Sequence, residues 1–184
     1  MPHIQLRNDL YGITSLLDYR QETAAPICEL TDLLLCGEST LNRSERELIA
    51  AHVSRLNDCT FCHSAHAAIT CRLDAGGEEP ASNNIDSLEL SDKMRSLLNI
   101  ASKVQRGGNH VTQNEIDVAK EKGATDKEIH DTVLIAALFC LYNRYVDGLA
   151  TAIPANPAFY DALSKRIAGR GYKMPENGYH TLQF

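Results

Sequence analysis

The stretch Cys59-Thr-Phe-Cys-His-Ser-Ala-His66, preceded by Leu41-Asn-Arg-Ser-Glu-Arg-Glu-Leu-Ile-Ala-Ala-His-Val-Ser-Arg-Leu-Asn-Asp58, decides how the chain is read. The octapeptide holds two of the six cysteines and two of the seven histidines. Read as helix, Cys59, Cys62, His63 and His66 stand at i, i+3, i+4 and i+7. They share one face, because a helix turns about 100° per residue. A face with two thiols and two imidazoles admits three chemistries: a redox-active dithiol, a metal site, and a c-type haem attachment site.

The rest of the chain reads as nearly all helix, without convincing period-2 strands. A first amphipathic segment is expected from Asn8 to Tyr19. Pro26 is expected in the first turn of a helix carrying Ile27 to Leu35, with Gly37 as its stop. Asn42 or Ser44 can cap a helix with Leu48, Ile49, His52, Val53 and Leu56 on one side, and Asn57-Asp58 breaks it. The motif helix follows, from Cys59 to Leu73. Gly76-Gly77 and the polar stretch to Asn84 form a loop. Ser91 caps a helix that Gly107-Gly108 ends. Thr112 with Glu115, and Thr125 with Glu128, have capping-box spacing. The second box opens a long apolar helix, Lys127 to Asp147, stopped by Gly148. Its run Val133 to Tyr142 suits either the core or a subunit seam. A last helix spans Ala158 to Ala168, and the Gly-Arg-Gly-Tyr tail is expected to be at most partly ordered.

A length of 184 residues fits one domain, 1–184, with a substantial core. The net charge of −6, without a dense basic run, argues against nucleic acid as a partner. The apolar run from Val133 to Tyr142 is too short to span a bilayer, so no membrane is expected. The first residues lack an apolar export segment, which suggests a reducing cytoplasm. Paired cysteines there are more often catalytic or metal-binding than structural.

Zinc requires ligands at roughly 2.0–2.3 Å in a tetrahedron, whereas i to i+7 on one helix spans about 10 Å. The chain has no second CxxC or HxxxH to complete a site. Cys28, Cys36, Cys71 and Cys140 read as small core residues. Cys59 to His63 is literally CxxCH, the haem pattern. Its context is poor: no export signal, and thioethers only at Met1, Met94 and Met174. The dithiol reading needs a stabilised thiolate. A helix start favours one, and His66 lies one turn after Cys62, where its ring can exchange a proton with the sulfur. Glu47 lies off the apolar stripe, beside Ala50, Ala51 and Ser54. Small residues there would let another helix approach and bring the carboxylate to His66. A solvated charge within Ser-Glu-Arg-Glu is the competing reading.

Glu47, an eleven-residue gap, Cys59-x-x-Cys62 and His66 together resemble the signature of the alkylhydroperoxidase D-like, carboxymuconolactone decarboxylase superfamily. Phe139-Cys-Leu-Tyr-Asn-Arg-Tyr-Val-Asp-Gly-Leu149 and Asn156 to Tyr172 are similar to its peroxidase-related branch, so the resemblance covers residues 41–172. It implies an all-α helical bundle of about seven to nine helices that assembles as a homo-oligomer (dimer, trimer or hexamer). It also implies a thiol peroxidase without cofactor or metal, acting on hydrogen peroxide or organic hydroperoxides. By resemblance, Cys62 attacks the peroxide and Cys59 resolves it as a Cys59–Cys62 disulfide. His66 is the acid/base, polarised by Glu47, and an external dithiol such as a lipoyl or thioredoxin-like protein resets the pair. The family's usual second histidine, inside the CxxC, is Phe61 here. His63, just outside, is either an auxiliary or a polar bystander. The decarboxylase branch lacks the CxxC pair, which disfavours lactone decarboxylation. A redox sensor or thiol-disulfide exchange protein using the same disulfide is the alternative function.

Overall fold

The structure, a computed structural model, describes residues 1–179 except 8, 79, 81, 82 and 177. Among these it is all-α, as expected. The helices are α1 (Gly12–Tyr19), α2 (Gln21–Cys36), α3 (Arg43–Leu56), α4 (Thr60–Asp74), α5 (Asp92–Arg106), α6 (Gln113–Glu121), α7 (Asp126–Gly148) and α8 (Ala158–Arg170). Single 3-10 turns precede α5 and α6. No helix among the described residues is long and apolar enough to cross a membrane.

Side-chain chemistry fixes half of the eight helix starts among the described residues. Asn42 with Glu45, Thr112 with Glu115, and Thr125 with Glu128 form reciprocal capping boxes, and the Ser91 hydroxyl accepts from the Met94 amide. Each satisfies amide groups that the helix itself leaves without partners.

Two helix boundaries differ from expectation. α1 begins at Gly12, and Asn8 lies outside the described residues, as do Glu79, Ala81 and Ser82 of the predicted loop. α2 begins at Gln21, so Pro26 sits inside it rather than in its first turn. Pro26 removes one backbone donor, whose acceptor would be the Glu22 carbonyl. Both residues are exposed, so water can satisfy that oxygen.

α3 is the hub: it packs on α2, α4, α5 and α7. Ile49, Ala50, Ala51, Val53 and Ser54 are fully enclosed. Ala65, Ala67 and Ala68 of α4 are likewise buried, so small residues on both sides let the two backbones approach. α4 is covered in turn by α8. Of the apolar run in α7, Ile135, Ala136, Leu138, Phe139 and Tyr142 are buried, while Ala137 and Leu141 face outward. Leu56, expected on the buried stripe of α3, is exposed at the helix end.

Glu128 ties three segments together. Its carboxylate is buried and accepts from Lys93 Nζ and Thr40 Oγ1, each at 2.9 Å. Burial pushes its proton affinity up, but Lys93, the Thr125 amide and Thr40 outweigh this and bring its pKa down to about 2. A carboxyl depressed from an unfolded value near 4.5 stabilises the fold above that pH and loses the contribution as pH falls toward 2. The loss should be on the order of 1 kcal/mol once solvent screening of the partly exposed Lys93 partner is allowed for. Thermal midpoints between pH 6 and pH 2.5 should therefore fall more steeply for the parent protein than for Glu128→Gln. Parallel curves would contradict this.

Candidate active site

The link between α3 and α4 sets the dithiol. The Asp58 amide bonds the Arg55 carbonyl, and the Cys59 amide bonds the Ser54 carbonyl at 3.0 Å. This is the paired pattern of a Schellman end, with Asp58 in the left-handed region (φ 57°). Aspartate tolerates that conformation better than most side chains. The reversal makes Cys59 the N-cap of α4 and puts Cys62 in its first turn. Both cysteines are buried free thiols.

Glu47 is at the centre of the α3–α4 seam and is 0% exposed. Its Oε2 lies 2.6 Å from His66 Nδ1. Its Oε1 accepts from the Tyr172 hydroxyl at 2.6 Å. The competing reading of Glu47 as a solvated charge is thereby excluded. An ionised carboxylate only accepts hydrogen bonds, so Nδ1 of His66 carries the proton and Nε2 is left as the basic nitrogen of the neutral ring. Phe139 meets the imidazole edge-on at a centroid distance of 4.5 Å and Tyr172 stacks near-parallel to it, fixing the ring plane.

Cys62 and His66 line one cavity of about 70 Å³. Its walls are mainly apolar, with Ile13, Leu17, Phe139 and Leu163 among them. Cys59 is not among the residues lining it, although its thiol is hydrogen-bonded to that of Cys62. Cys62 therefore faces the cavity and Cys59 stands behind it.

The Cys62 thiol is not pre-ionised. Its hydrogen bond with Cys59 and its burial raise its pKa well above the ordinary thiol value, and the Asn143 amide opposes them. The helix-start argument predicts the reverse. A second thiol at the same sulfur and burial oppose the backbone dipole there.

Asn143 was not singled out by the sequence. Its Oδ1 accepts from Asn57 Nδ2 at 2.8 Å, and its own Nδ2 donates to Ser54 Oγ at 3.0 Å. That orientation leaves the other amide hydrogen for the Cys62 sulfur. The available signal was a lone amide directly after the apolar run of α7. Tyr172 was missed because the Gly-Arg-Gly-Tyr tail was expected to be at most partly ordered.

His63 does not join the cavity wall. Its Nδ1 lies 3.1 Å from the Ala51 carbonyl across the helix seam. Phe61 is buried against Phe159 and Tyr160 and against Gly12. Gly12 has φ 52°, and a Cβ there would overlap the Phe61 ring. An apolar ring packed this way has no group that can pass a proton. Cys28 and Cys71 are buried as expected, but Cys36 and Cys140 are only partly so. Cys28 also lines the cavity and hydrogen-bonds the Tyr179 hydroxyl at 3.3 Å.

Residues 21–81 match the carboxymuconolactone decarboxylase family, a span that contains Glu47, Cys59, Cys62 and His66. A search of curated proteins finds no match. Among solved structures, the chain is similar to an uncharacterised peroxidase-related protein from Silicibacter sp. TM1040. The two are 25% identical, with a TM-score of 0.70 over 81% of this chain and 78% of that one. It also shares the fold of the alkylhydroperoxidase AhpD core of an uncharacterised peroxidase-related protein from Ralstonia eutropha JMP134. That pair is 22% identical, with a TM-score of 0.71 over 85% and 82% of the two chains. The carboxymuconolactone decarboxylase match over residues 21–81 and the fold shared with these two peroxidase-related structures agree with the motif spacing.

Proposed function

We propose that this protein is a thiol peroxidase that reduces hydrogen peroxide or a small organic hydroperoxide. The observation that carries the reading is the buried Glu47–His66 hydrogen bond beside a thiol that faces a mainly apolar cavity. Such a cavity of about 70 Å³ has room for a few water-sized groups, which suits a short peroxide.

Cys62 is protonated at rest, so it needs a base. Nε2 of His66 takes the thiol proton, and Glu47 stabilises the imidazolium through Nδ1. The Cys62 sulfur attacks the near oxygen of the peroxide. A new S–O bond forms as the O–O bond breaks, and the leaving alkoxide or hydroxide takes the proton back from His66. Cys62 becomes a sulfenic acid. Cys59 then attacks that sulfur, the S–OH bond breaks, and the hydroxide leaves as water with the Cys59 proton. The Cys59–Cys62 disulfide is reduced by an external dithiol, which supplies the electron pair and two protons.

Cys62→Ser should abolish dithiol-dependent hydroperoxide consumption. Cys59→Ser should retain the first oxidation but fail to turn over. A Cys62→Ser protein as active as the parent would sink the assignment. pH provides an independent check. Because Cys59 and burial hold the Cys62 proton, the thiolate fraction grows as pH rises toward the raised pKa. Alkylation of Cys62 by iodoacetamide should accelerate steadily from about pH 6 to pH 9. A rate already at its plateau near neutrality would show a pre-formed thiolate instead.

A further inference from the structure

We propose that Tyr172 is a positioning residue: from beyond the last helix, it holds the Glu47 carboxylate so that His66 presents Nε2 as its basic nitrogen. Its part in catalysis rests on the peroxidase reading. Its hold on the Glu47–His66 pair does not.

The geometry is two-sided. Each oxygen of the enclosed Glu47 carboxylate has its own donor, His66 Nδ1 on Oε2 and the Tyr172 hydroxyl on Oε1, both at 2.6 Å. The phenol also lies 3.4 Å from Nδ1, and its ring is within 15° of parallel to the imidazole at a centroid distance of 6.1 Å. Burial, and then the neighbouring Glu47 charge, push the Tyr172 pKa well above the usual phenol value, so the group stays a donor. Two donors on one buried carboxylate favour its ionised form. That form in turn requires the imidazole hydrogen on Nδ1.

The tail is tied down independently of the thiols. The Arg43 guanidinium, at the start of α3, donates to the carbonyls of Ile167 and Ala168 at 3.0 and 2.9 Å. Gly171 takes φ 69°, and a Cβ there would overlap Asp32 Oδ1. The Tyr172 amide donates to that same oxygen at 2.9 Å. The chain thus leaves α8 through a turn that suits glycine and delivers the phenol to α3.

Other ionisable groups surround the pair: Asp32 and Cys36 of α2, Arg43 and Arg46 of α3, Cys62 of α4, Tyr142 of α7 and Arg166 of α8. Arg46 donates to the Leu34 and Gly37 carbonyls, and Arg43 to those of α8. The hydrogen bonds to the Glu47 oxygens come from His66 and Tyr172.

Tyr172→Phe keeps the ring and removes the donor. The carboxylate then holds an imidazolium more strongly, so the pH at which His66 changes protonation should rise. Losing a hydrogen bond to a charge should raise it by about one pH unit, tenfold in proton affinity. 15N NMR of histidine-labelled protein reads this directly, with the His66 signal assigned through His66→Gln. A purely structural role would lower the thermal midpoint and leave the His66 titration unchanged, and that result overturns the proposal. Should Tyr172→Phe fail to fold, 3-fluorotyrosine at position 172 has nearly the same shape and a more acidic hydroxyl. It should move the titration downward, and an unmoved titration again overturns the proposal. Hydroperoxide consumption is measured on the same samples. A shifted titration in a protein without turnover keeps Tyr172 in this role and removes the peroxidase reading alone.

Discussion

The carboxylate of Glu47 is the constraint on which the rest of the site depends. An ionised group without exposure to water is strongly unfavourable unless it is paired and hydrogen-bonded. Here both oxygens are matched, by His66 and by Tyr172. Meeting that requirement explains several features at once. Ala50, Ala51 and Ser54 must be small so that α4 can bring His66 close. The Schellman turn at Asp58 must set the register of α4. The end of α8 must return to α3, which it does through Arg43 and Gly171. The fold is arranged around a buried acid that a peripheral position would not need.

The two thiols sit beside this acid rather than at the surface. Cys62 meets the cavity and Cys59 stands behind it, which separates the sulfur that can meet an incoming peroxide from the one that would resolve it. The hydrogen bond with Cys59, and then the burial that makes the cavity apolar, push the Cys62 pKa up and favour the protonated thiol. Reactivity therefore depends on a base inside the site. This links the two halves of the proposal: burial protects the thiol, and the Glu47–His66 pair compensates for the protection. Asn143, oriented by Asn57 and Ser54, supplies the opposing donor at the sulfur.

Features that depend on local sequence were legible. Capping boxes, the Asn57-Asp58 break and the Gly107 stop each act through residues within one turn, and each appears where its pattern predicts. Of the four residues read as one helix face, Cys62 and His66 line the cavity, while Cys59 is the N-cap behind it and His63 turns to the Ala51 carbonyl. What could not be read are contacts between distant segments. Tyr172 meets Glu47 across most of the chain, and Asn143 meets Asn57 and Ser54 across three helices. Phe61 is accommodated only because Gly12, on another helix, lacks a Cβ. Pro26 misled because its usual preference for a first turn gave way to an exposed helix interior where its missing donor costs little. At the Cys62 thiol the opposing influences differ in range: a backbone dipole is a local property, whereas burial and the Cys59 contact belong to the fold.

The central claim is that peroxide oxidises Cys62 and that Cys59 captures the product. The direct measurement is mass spectrometry of the reduced protein after one equivalent of hydroperoxide, with the modified sulfurs mapped by fragmentation. The account predicts loss of a pair of hydrogen atoms as a Cys59–Cys62 disulfide, and a sulfenic acid on Cys62 that dimedone traps in Cys59→Ser. Oxidation first at the partly exposed Cys36 or Cys140, with Cys59 and Cys62 left as thiols, would contradict it.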